Sequence, residues 1–248
     1  MFLGLAFIPS YKALSCTDTL KVGVEEKWPP YSYLENGVYK GLDIEIIELI
    51  LSKANFCWKY SSYPSTARTF KELENNRIDL LFAASRNKQR EAYASFSLPY
   101  RTETMIIFSH KGQPERFNFN TKHTVTVNRG SFYGELFTDY RAKCKDCVVE
   151  LNSTKQRFVL LQNKRVQFSI EDELTGSYIL QHENFDDLTK HVDSVIHNNK
   201  VHYMFGLTAK GDMVRERLNI AIKELDSDIN KIIHSYKVNL HNTNVGVQ

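Results

Sequence analysis

Two side chains that could bind an anion follow a predicted buried strand. The apolar run LLFAA at residues 80–84 predicts the strand, and the Ser85 hydroxyl and the Arg90 guanidinium come just after it. Open α/β sheets bind ligands beyond the carboxyl ends of their strands, and a guanidinium offers a fork of donors that matches a carboxylate. The spacing therefore fits a carboxylate site, although a single Arg at such a position is more often an ordinary surface residue.

The segment around Arg90 resembles a known family. The bacterial periplasmic solute-binding proteins of the polar amino-acid family (family 3) carry a strand, a Ser/Thr-rich turn, an Arg and an FS-x-PY sequence in this order. Ser85, Arg90 and residues 96–100 (FSLPY) match this order, whereas Asn87 stands where the family usually has a Thr. Further matches cover almost the whole chain in the family order: WPPY at 28–31, GLDIE at 41–45 and the pair Glu171-Asp172.

The resemblance implies both a fold and a function. The fold is an α/β periplasmic-binding-protein fold of type II, with two lobes, a central cleft and a two-strand hinge. Such lobes close around a ligand by a hinge motion. The implied function is an exported protein that captures a small zwitterionic or anionic solute, with a polar amino acid expected. It would deliver this solute to the permease of an ABC transporter in the inner membrane.

The resemblance also assigns ligand contacts to single residues. It places Arg90 on the ligand carboxylate and Asp172 on the α-amino group. Family members stack an aromatic ring on the ligand where Trp28 stands, and several have an acidic residue reaching the ligand amine where Glu25 stands. A core role for the aromatic side chain is the alternative for Trp28.

Ser131 is a second candidate contact for the carboxylate. Residues 128–131 (NRGS) predict a turn, and a helix is expected from Phe132 to about Lys143. Free amides at the helix start, together with the Ser131 hydroxyl, would form an anion-binding corner. Ordinary helix capping explains the same residues equally well, but the family has a Gly-Ser or Gly-Thr here that contacts the carboxylate.

An internal sequence repeat indicates two similar α/β lobes. Residues 70–80 and 158–168 share Phe, Leu, Asn and Arg in register, and each copy is typical of a helix, a tight turn and a buried strand. The first strand ends at Ser85 and the second at the pair Glu171-Asp172. The two lobes would therefore bring opposite charges to one cleft, unless the similarity of two amphipathic helices is chance. Asp172 also fits the N-cap of the next helix, and both roles are compatible.

The chain divides into three regions. Residues 2–8 are apolar, and residues 13–15 (ALS) offer small side chains at the two positions that a signal peptidase reads, which predicts a secretory signal peptide over residues 1–15, with a disordered or strand-forming N-terminus as the alternative. Lobe 1 is expected over residues 16–108 and 205–248, and lobe 2 over 109–204. The two crossings would lie near Phe108 and Phe205. The protein would thus be periplasmic.

The four cysteines fit an oxidising compartment. Cys16 precedes the first predicted strand and Cys57 opens the second, and neighbouring parallel strands would bring them together as a disulfide, with lipidation of Cys16 as the alternative. Cys144 and Cys147 form a C-x-x-C without a second pair nearby, which favours a local disulfide over zinc.

Several further elements are expected from local patterns. Asp43 is a candidate N-cap for a helix whose apolar residues begin at Ile44, and residues 25–33 are a predicted aromatic loop. Residues 105–108 and 201–208 predict strands, residues 184–192 a loop with a short helix, and residues 213–237 a helical tail.

Composition and motifs exclude some function classes. The net charge of +3 and the absence of a long Lys/Arg run argue against nucleic-acid binding. The eight His never pair at helical spacing with a carboxylate, so a metal site is not expected. The sequence has no Gly-rich phosphate loop, and no cofactor is expected. A monomer without enzymatic activity is expected. The alternatives are an orphan receptor or sensor for another small organic acid, or a dehydratase of cyclohexadienyl acids with Glu171 or Glu173 as general acid.

Overall fold

The structure is a computed structural model that describes Cys16, residues 18–113 and residues 116–242. The predicted signal peptide at residues 1–15 lies outside the described residues. Among the described helices, none is both long enough and apolar enough to cross a lipid bilayer.

The described chain forms eleven strands and eight α-helices in an α/β order. The first part contains β1 (Thr19–Val24), β2 (Lys27–Trp28), β3 (Ser32–Glu35), β4 (Val38–Lys40), α1 (Leu42–Lys53), β5 (Cys57–Ser62), α2 (Thr66–Glu74), β6 (Leu80–Ser85) and α3 (Lys88–Glu91). The middle contains β7 (Ala94–His110), β8 (Val125–Asn128), α4 (Glu135–Lys143), a 3-10 turn (Lys145–Cys147), β9 (Val148–Leu151), α5 (Thr154–Gln162), β10 (Phe168–Asp172) and α6 (Glu173–His182). The last part contains β11 (Leu188–Gly206), α7 (Ala209–Glu224) and α8 (Asp226–Asn242).

The main sheet joins two parallel groups of strands through an antiparallel centre. Its strand order is β5-β1-β6-β11-β7-β10-β8-β9. The first three strands pair in parallel at one end, and β10, β8 and β9 pair in parallel at the other. The long strands β7 and β11 run antiparallel through the middle and belong to both ends. The predicted two-lobed α/β fold with two connecting strands is confirmed.

The two long strands change partners along their length. Residues 105–109 of β7 pair with β10 in lobe 2, and residues 201–205 of β11 pair with β6 in lobe 1. The change of partner thus comes before Phe108 and before Phe205, a few residues earlier along each strand than the expected crossings. Lobe boundaries near residues 103 and 200 are therefore our proposal.

The internal sequence repeat correctly predicts the same local structure in both lobes. Helices α2 and α5 are N-capped by Ser65 and Ser153, whose hydroxyls accept from the N–H groups three residues later. Asn76 and Lys164 then take left-handed backbone conformations with φ of 54° and 55°. Each turn leads into a buried strand, β6 or β10. Matched caps and turns support two related units over a chance similarity of helices.

Some local predictions in lobe 1 are wrong. Residues 25–33 are only partly loop, because β2, β3 and β4 form a small antiparallel sheet. Gly41, at a φ of 121°, is the N-cap of α1, so Asp43 does not cap this helix. Asp43 lies inside α1, fully buried, and pairs with Arg101. Nothing in the local sequence around residue 43 signals this long-range partner.

Other predictions are wrong about the lengths of strands and helices. β7 covers 17 residues instead of four, and β11 covers 19 residues, including residues 188–192 of the predicted loop. Strand β11 extends because β7 pairs with it almost throughout, with irregular register between His191 and His197. The helical tail consists of two helices that meet at Leu225.

The cysteines pair as predicted. Cys16 is joined to Cys57, with Cα atoms 5.4 Å apart, and Cys144 is joined to Cys147, with Cα atoms 5.3 Å apart. The first disulfide joins the chain before β1 to the start of β5. These two strands are parallel neighbours in the sheet.

Candidate functional site

A cleft between the lobes contains all six predicted site residues. It encloses about 840 Å³, including the solvent at its mouth. Lobe 1 contributes side chains that follow β1 and β6 or lie on α2, and lobe 2 contributes side chains near the ends of β8 and β10. The structure brings together the predicted residues Glu25, Trp28, Ser85, Arg90, Ser131 and Asp172.

Arg90 is a buried cation without a carboxylate partner. Asn87 caps the short helix α3 by accepting from the Arg90 N–H at 3.0 Å, which fixes where this side chain starts. The guanidinium lies 4.2 Å from the Phe70 ring centre and donates from Nη1 to the Ser85 carbonyl oxygen at 2.7 Å. From Nη2 it donates to the Gly130 carbonyl oxygen at 3.0 Å. Among the described residues, no carboxylate forms an ion pair with it.

Arg90 keeps both its charge and free donors. Burial lowers the pKa of Arg90 to about 10, so the guanidinium remains cationic at neutral pH. A guanidinium carries five N–H donors, and the two carbonyl contacts leave roughly three of them for a ligand. These remaining donors can bind a carboxylate.

Asp172 is both a helix cap and a wall of the cleft. It ends β10, and its Oδ2 accepts from the N–H groups of Leu174 and Thr175 at 3.0 and 3.1 Å, which caps α6. The same oxygen accepts from the Tyr31 hydroxyl at 2.8 Å, while Oδ1 accepts from the Thr104 N–H at 3.3 Å. Burial raises the pKa of Asp172 to about 6. The N-cap role expected from the sequence is present.

Glu25 and Trp28 lie on the lobe 1 side of the cleft. Glu25 is half-buried and accepts from the Thr66 hydroxyl at 2.5 Å. Burial raises the pKa of Glu25, and the Thr66 hydrogen bond opposes this. The half-buried Trp28 ring lies 4.6 Å from the ring of Tyr31, which is buried. Trp28 can therefore offer one part of its ring to a ligand while Tyr31 supports it.

Ser85 and Ser131 line the cleft from different structural positions, a strand end and a loop. Ser85 ends β6 and is held beside Arg90 through its carbonyl group. The Ser131 hydroxyl accepts from Asn128 Nδ2 at 2.8 Å. Because α4 begins at Glu135 after the N-cap Gly134, Ser131 is not at a helix start. The prediction that Ser131 forms an anion-binding corner at a helix N-terminus is therefore wrong, although the Ser131 side chain still lines the cleft.

Strain is stored next to Ser85. Ala83 lies within β6 with a φ of 57°, a left-handed conformation that costs a non-glycine residue about 1 kcal/mol or more. Its N–H donates to the Tyr100 hydroxyl at 3.0 Å, and Tyr100 in turn donates to Asp43. The buried contacts around Tyr100 thus hold the strained residue on the wall of the cleft.

Sequence reasoning missed three charged groups in or near the cleft. Arg157 is buried and bonded to Glu171, and it also donates to Thr154 Oγ1 at 2.9 Å and to Asn128 Oδ1 at 3.2 Å. This pair adds no net charge to the wall. Glu103 on β7 also lines the cleft, and Arg101 forms an ion pair with it. For Arg101 and Glu103 the only available signal was the alternation of charged side chains with threonines in residues 101–104 (RTET), which does not say which way these side chains face.

Sequence comparison with known families gives one match. The profile of the bacterial extracellular solute-binding proteins, family 3, covers residues 20–239. The chain belongs to this family. No curated protein matches it in sequence.

Solved structures of similar fold include binding proteins and a sensor. A histidine kinase sensor domain with similarity to periplasmic binding proteins is 17% identical with a TM-score of 0.78, over 88% of this chain and 95% of that one. The substrate-binding protein of an amino acid ABC transporter is 18% identical with a TM-score of 0.71, over 88% and 98%. An ancestral arginine-binding protein bound to arginine is 21% identical with a TM-score of 0.75, over 88% and 97%. At these identities the likeness establishes the periplasmic-binding-protein fold.

Proposed function

We propose that this family 3 protein binds an amino acid in the cleft between its lobes and delivers it to an ABC transporter. The single observation that carries the proposal is Arg90. It is a buried guanidinium that lines a cleft, keeps free donors and has no carboxylate partner among the described residues. A buried charge without a partner is costly, and a ligand carboxylate would complete it.

The opposite end of the ligand would meet carboxylates. Asp172 from lobe 2, together with Glu25 from lobe 1, lines the same cleft. A zwitterion would place its carboxylate on Arg90 and its ammonium near these acids. Ser85, Ser131 and Trp28 would complete the contacts as hydroxyl donors and an aromatic surface. Under this proposal the protein is periplasmic, acts as a monomer and catalyses no reaction.

A thermal-shift screen tests the proposal. The purified protein is mixed with each proteinogenic amino acid, and a ligand at 100 times its Kd should raise the melting temperature by about 5 to 10 °C. Arg90→Ala should abolish the shift. Arg86→Ala is the matched control, because Arg86 is exposed on the preceding turn and pairs with Glu91. If no amino acid shifts the wild-type protein, the proposal is rejected.

A sensory role is the second candidate. The observation that favours it is the likeness to a histidine kinase sensor domain, with a TM-score of 0.78. Delivery and sensing share the ligand site and differ in the partner. A permease gene beside the coding gene, and uptake that is lost when the coding gene is deleted, would favour delivery. Ligand binding without any effect on uptake would favour sensing.

A further inference from the structure

Among the described acids of the cleft, Glu103 is the one with a buried carboxyl oxygen that accepts no well-aligned hydrogen bond. It lies on β7, where alternation puts Arg101, Glu103 and Met105 on one face of the strand, and both Glu103 and Met105 line the cleft. Its side chain is only 5% exposed. Its Oε1 lies 3.0 Å from Arg101 Nη2, but among the described residues it accepts no hydrogen bond of good geometry.

The neighbouring cation is already engaged elsewhere. Arg101 forms a two-bond ion pair with Asp43, from Nε to Oδ1 and from Nη2 to Oδ2, each at 2.6 Å. Arg101 thus lies close enough to act on three buried acidic side chains, those of Asp43, Glu103 and Asp172. The charged and titratable groups that act on Glu103, or on which it acts, are Arg101, Asp43, Asp172, Tyr31, Tyr100 and Arg90.

Asp172 leaves little room for a ligand by itself. Its two oxygens already accept from four protein donors, and a carboxylate has about four acceptor positions. An ammonium group brings three donors and needs acceptors that are still free. Glu103 Oε1 is paired only with Arg101, at 3.0 Å and without a well-aligned hydrogen bond among the described residues, and Glu103 lines the same cleft as Asp172.

We propose that Glu103 is an additional ligand-contacting residue that accepts the ammonium group of the bound ligand beside Asp172 and releases a proton in doing so. This inference rests on the proposed function, since it requires a ligand that carries a primary ammonium. The proposal adds Glu103 to the six site residues predicted from the sequence, and it makes ligand affinity depend on pH.

The proton balance follows from the crowding of carboxylates. Burial, together with the neighbouring Asp172 and Asp43, raises the pKa of Glu103 to about 8, although Arg101 opposes this rise. Before a ligand binds, Glu103 is therefore mostly a neutral acid at pH 7. When the ligand ammonium arrives, the Glu103 O–H bond breaks, the proton leaves to solvent, and the carboxylate accepts an N–H of the ammonium. The ligand forms no covalent bond and its ammonium keeps its own protons.

Calorimetry can count this proton. The amino acid with the largest thermal shift is titrated at pH 7.0 in phosphate and in HEPES, whose ionisation enthalpies differ. We expect close to one proton released per ligand, and an affinity that rises about fivefold from pH 7 to pH 8 as Glu103 ionises. Asp172 is already mostly ionised over this range.

Two variants assign the proton. Glu103→Gln keeps the shape of the side chain, and it should release almost no proton and bind about 10- to 100-fold more weakly at pH 8, the loss expected for one charge-assisted hydrogen bond. Glu224→Gln removes an exposed carboxylate that pairs with Lys53 on the surface, and it should match the wild type.

The outcomes separate this inference from the proposed function. If the wild type binds an amino acid without releasing a proton, the role of Glu103 is overturned. The same holds if Glu103→Gln releases as many protons and binds as tightly as the wild type. In both cases amino-acid binding itself stays in place. If Glu103→Gln does not fold, a wild type that binds without releasing a proton still overturns the role of Glu103. Failure of every amino acid to bind the wild type overturns both.

Discussion

Arg90 and Gly130 are hydrogen-bonded across the cleft, from Nη2 of the guanidinium to the backbone carbonyl oxygen at 3.0 Å. Arg90 belongs to lobe 1 and Gly130 to lobe 2. A second contact crosses nearby, from Asn128 Nδ2 to the Thr66 hydroxyl at 3.4 Å. The predicted ligand-binding cation therefore also holds the lobes together, so ligand binding and lobe closure share one side chain.

Arg90→Lys should separate charge from geometry. Lysine keeps the positive charge but lacks the planar fork that reaches the Ser85 and Gly130 carbonyls and a carboxylate together. We expect amino-acid affinity to fall by about 10-fold or more. Isothermal titration calorimetry measures this, with Arg86→Lys as the control that should bind like the wild type. Unchanged affinity in Arg90→Lys would show that the paired donors of the guanidinium do not bind the ligand carboxylate.

The Asp43–Arg101 pair should be important for stability. Both side chains are buried, and removing one partner leaves an uncompensated charge inside the protein. We expect Asp43→Ala to lower the free energy of unfolding by about 3 to 5 kcal/mol in urea denaturation. Glu224→Ala, which breaks an exposed pair with Lys53 at 3.0 Å, should cost less than about 1 kcal/mol. Equal effects of the two variants would contradict the buried-pair account.

Stability without ligand should fall as pH rises from 7 to 8. Glu103 has its pKa raised to about 8 in the folded protein, well above the ordinary value for a glutamate, so the folded state holds a proton that the unfolded state has lost. A difference of one proton corresponds to about 1.4 kcal/mol per pH unit. The slope should flatten above pH 8 and should be smaller in Glu103→Gln. Denaturant unfolding at each pH measures it, and equal slopes for the two proteins would disprove the assignment.

The two disulfides should contribute unequally to stability. Cys16 and Cys57 are 41 residues apart in sequence, whereas Cys144 and Cys147 are three apart. A longer loop loses more entropy in the unfolded state when it is closed. Replacing the first pair by serines should cost about 4 kcal/mol and replacing the second about 2 kcal/mol, measured by denaturation in urea. The reverse order would contradict this model.

The sequence was informative where local signals agree with the fold. The apolar run before Ser85 marks a strand end, and the repeated helix and turn before Asp172 mark the equivalent end in lobe 2. Both positions therefore face the cleft in the structure. The disulfides followed from the same reasoning, because parallel neighbouring strands bring Cys16 and Cys57 together.

The rest depends on contacts between distant residues. Asp43 looks like a helix cap because Gly-Leu-Asp is a local start signal, but its partner Arg101 is 58 residues away. The polar first half of β11 becomes a strand only because β7 pairs with it. Glu103 was missed for the same reason, since the direction of a side chain on a strand shared by two lobes is set by register.

A crystal structure of the complex with the tightest-binding amino acid tests the central claim most directly. We predict that the ligand carboxylate accepts hydrogen bonds from the Arg90 guanidinium, and that its ammonium donates to Glu103 or Asp172, each at about 3 Å. A ligand bound outside this cleft would contradict the claim. A ligand in the cleft with its ammonium toward Arg90 would contradict it equally.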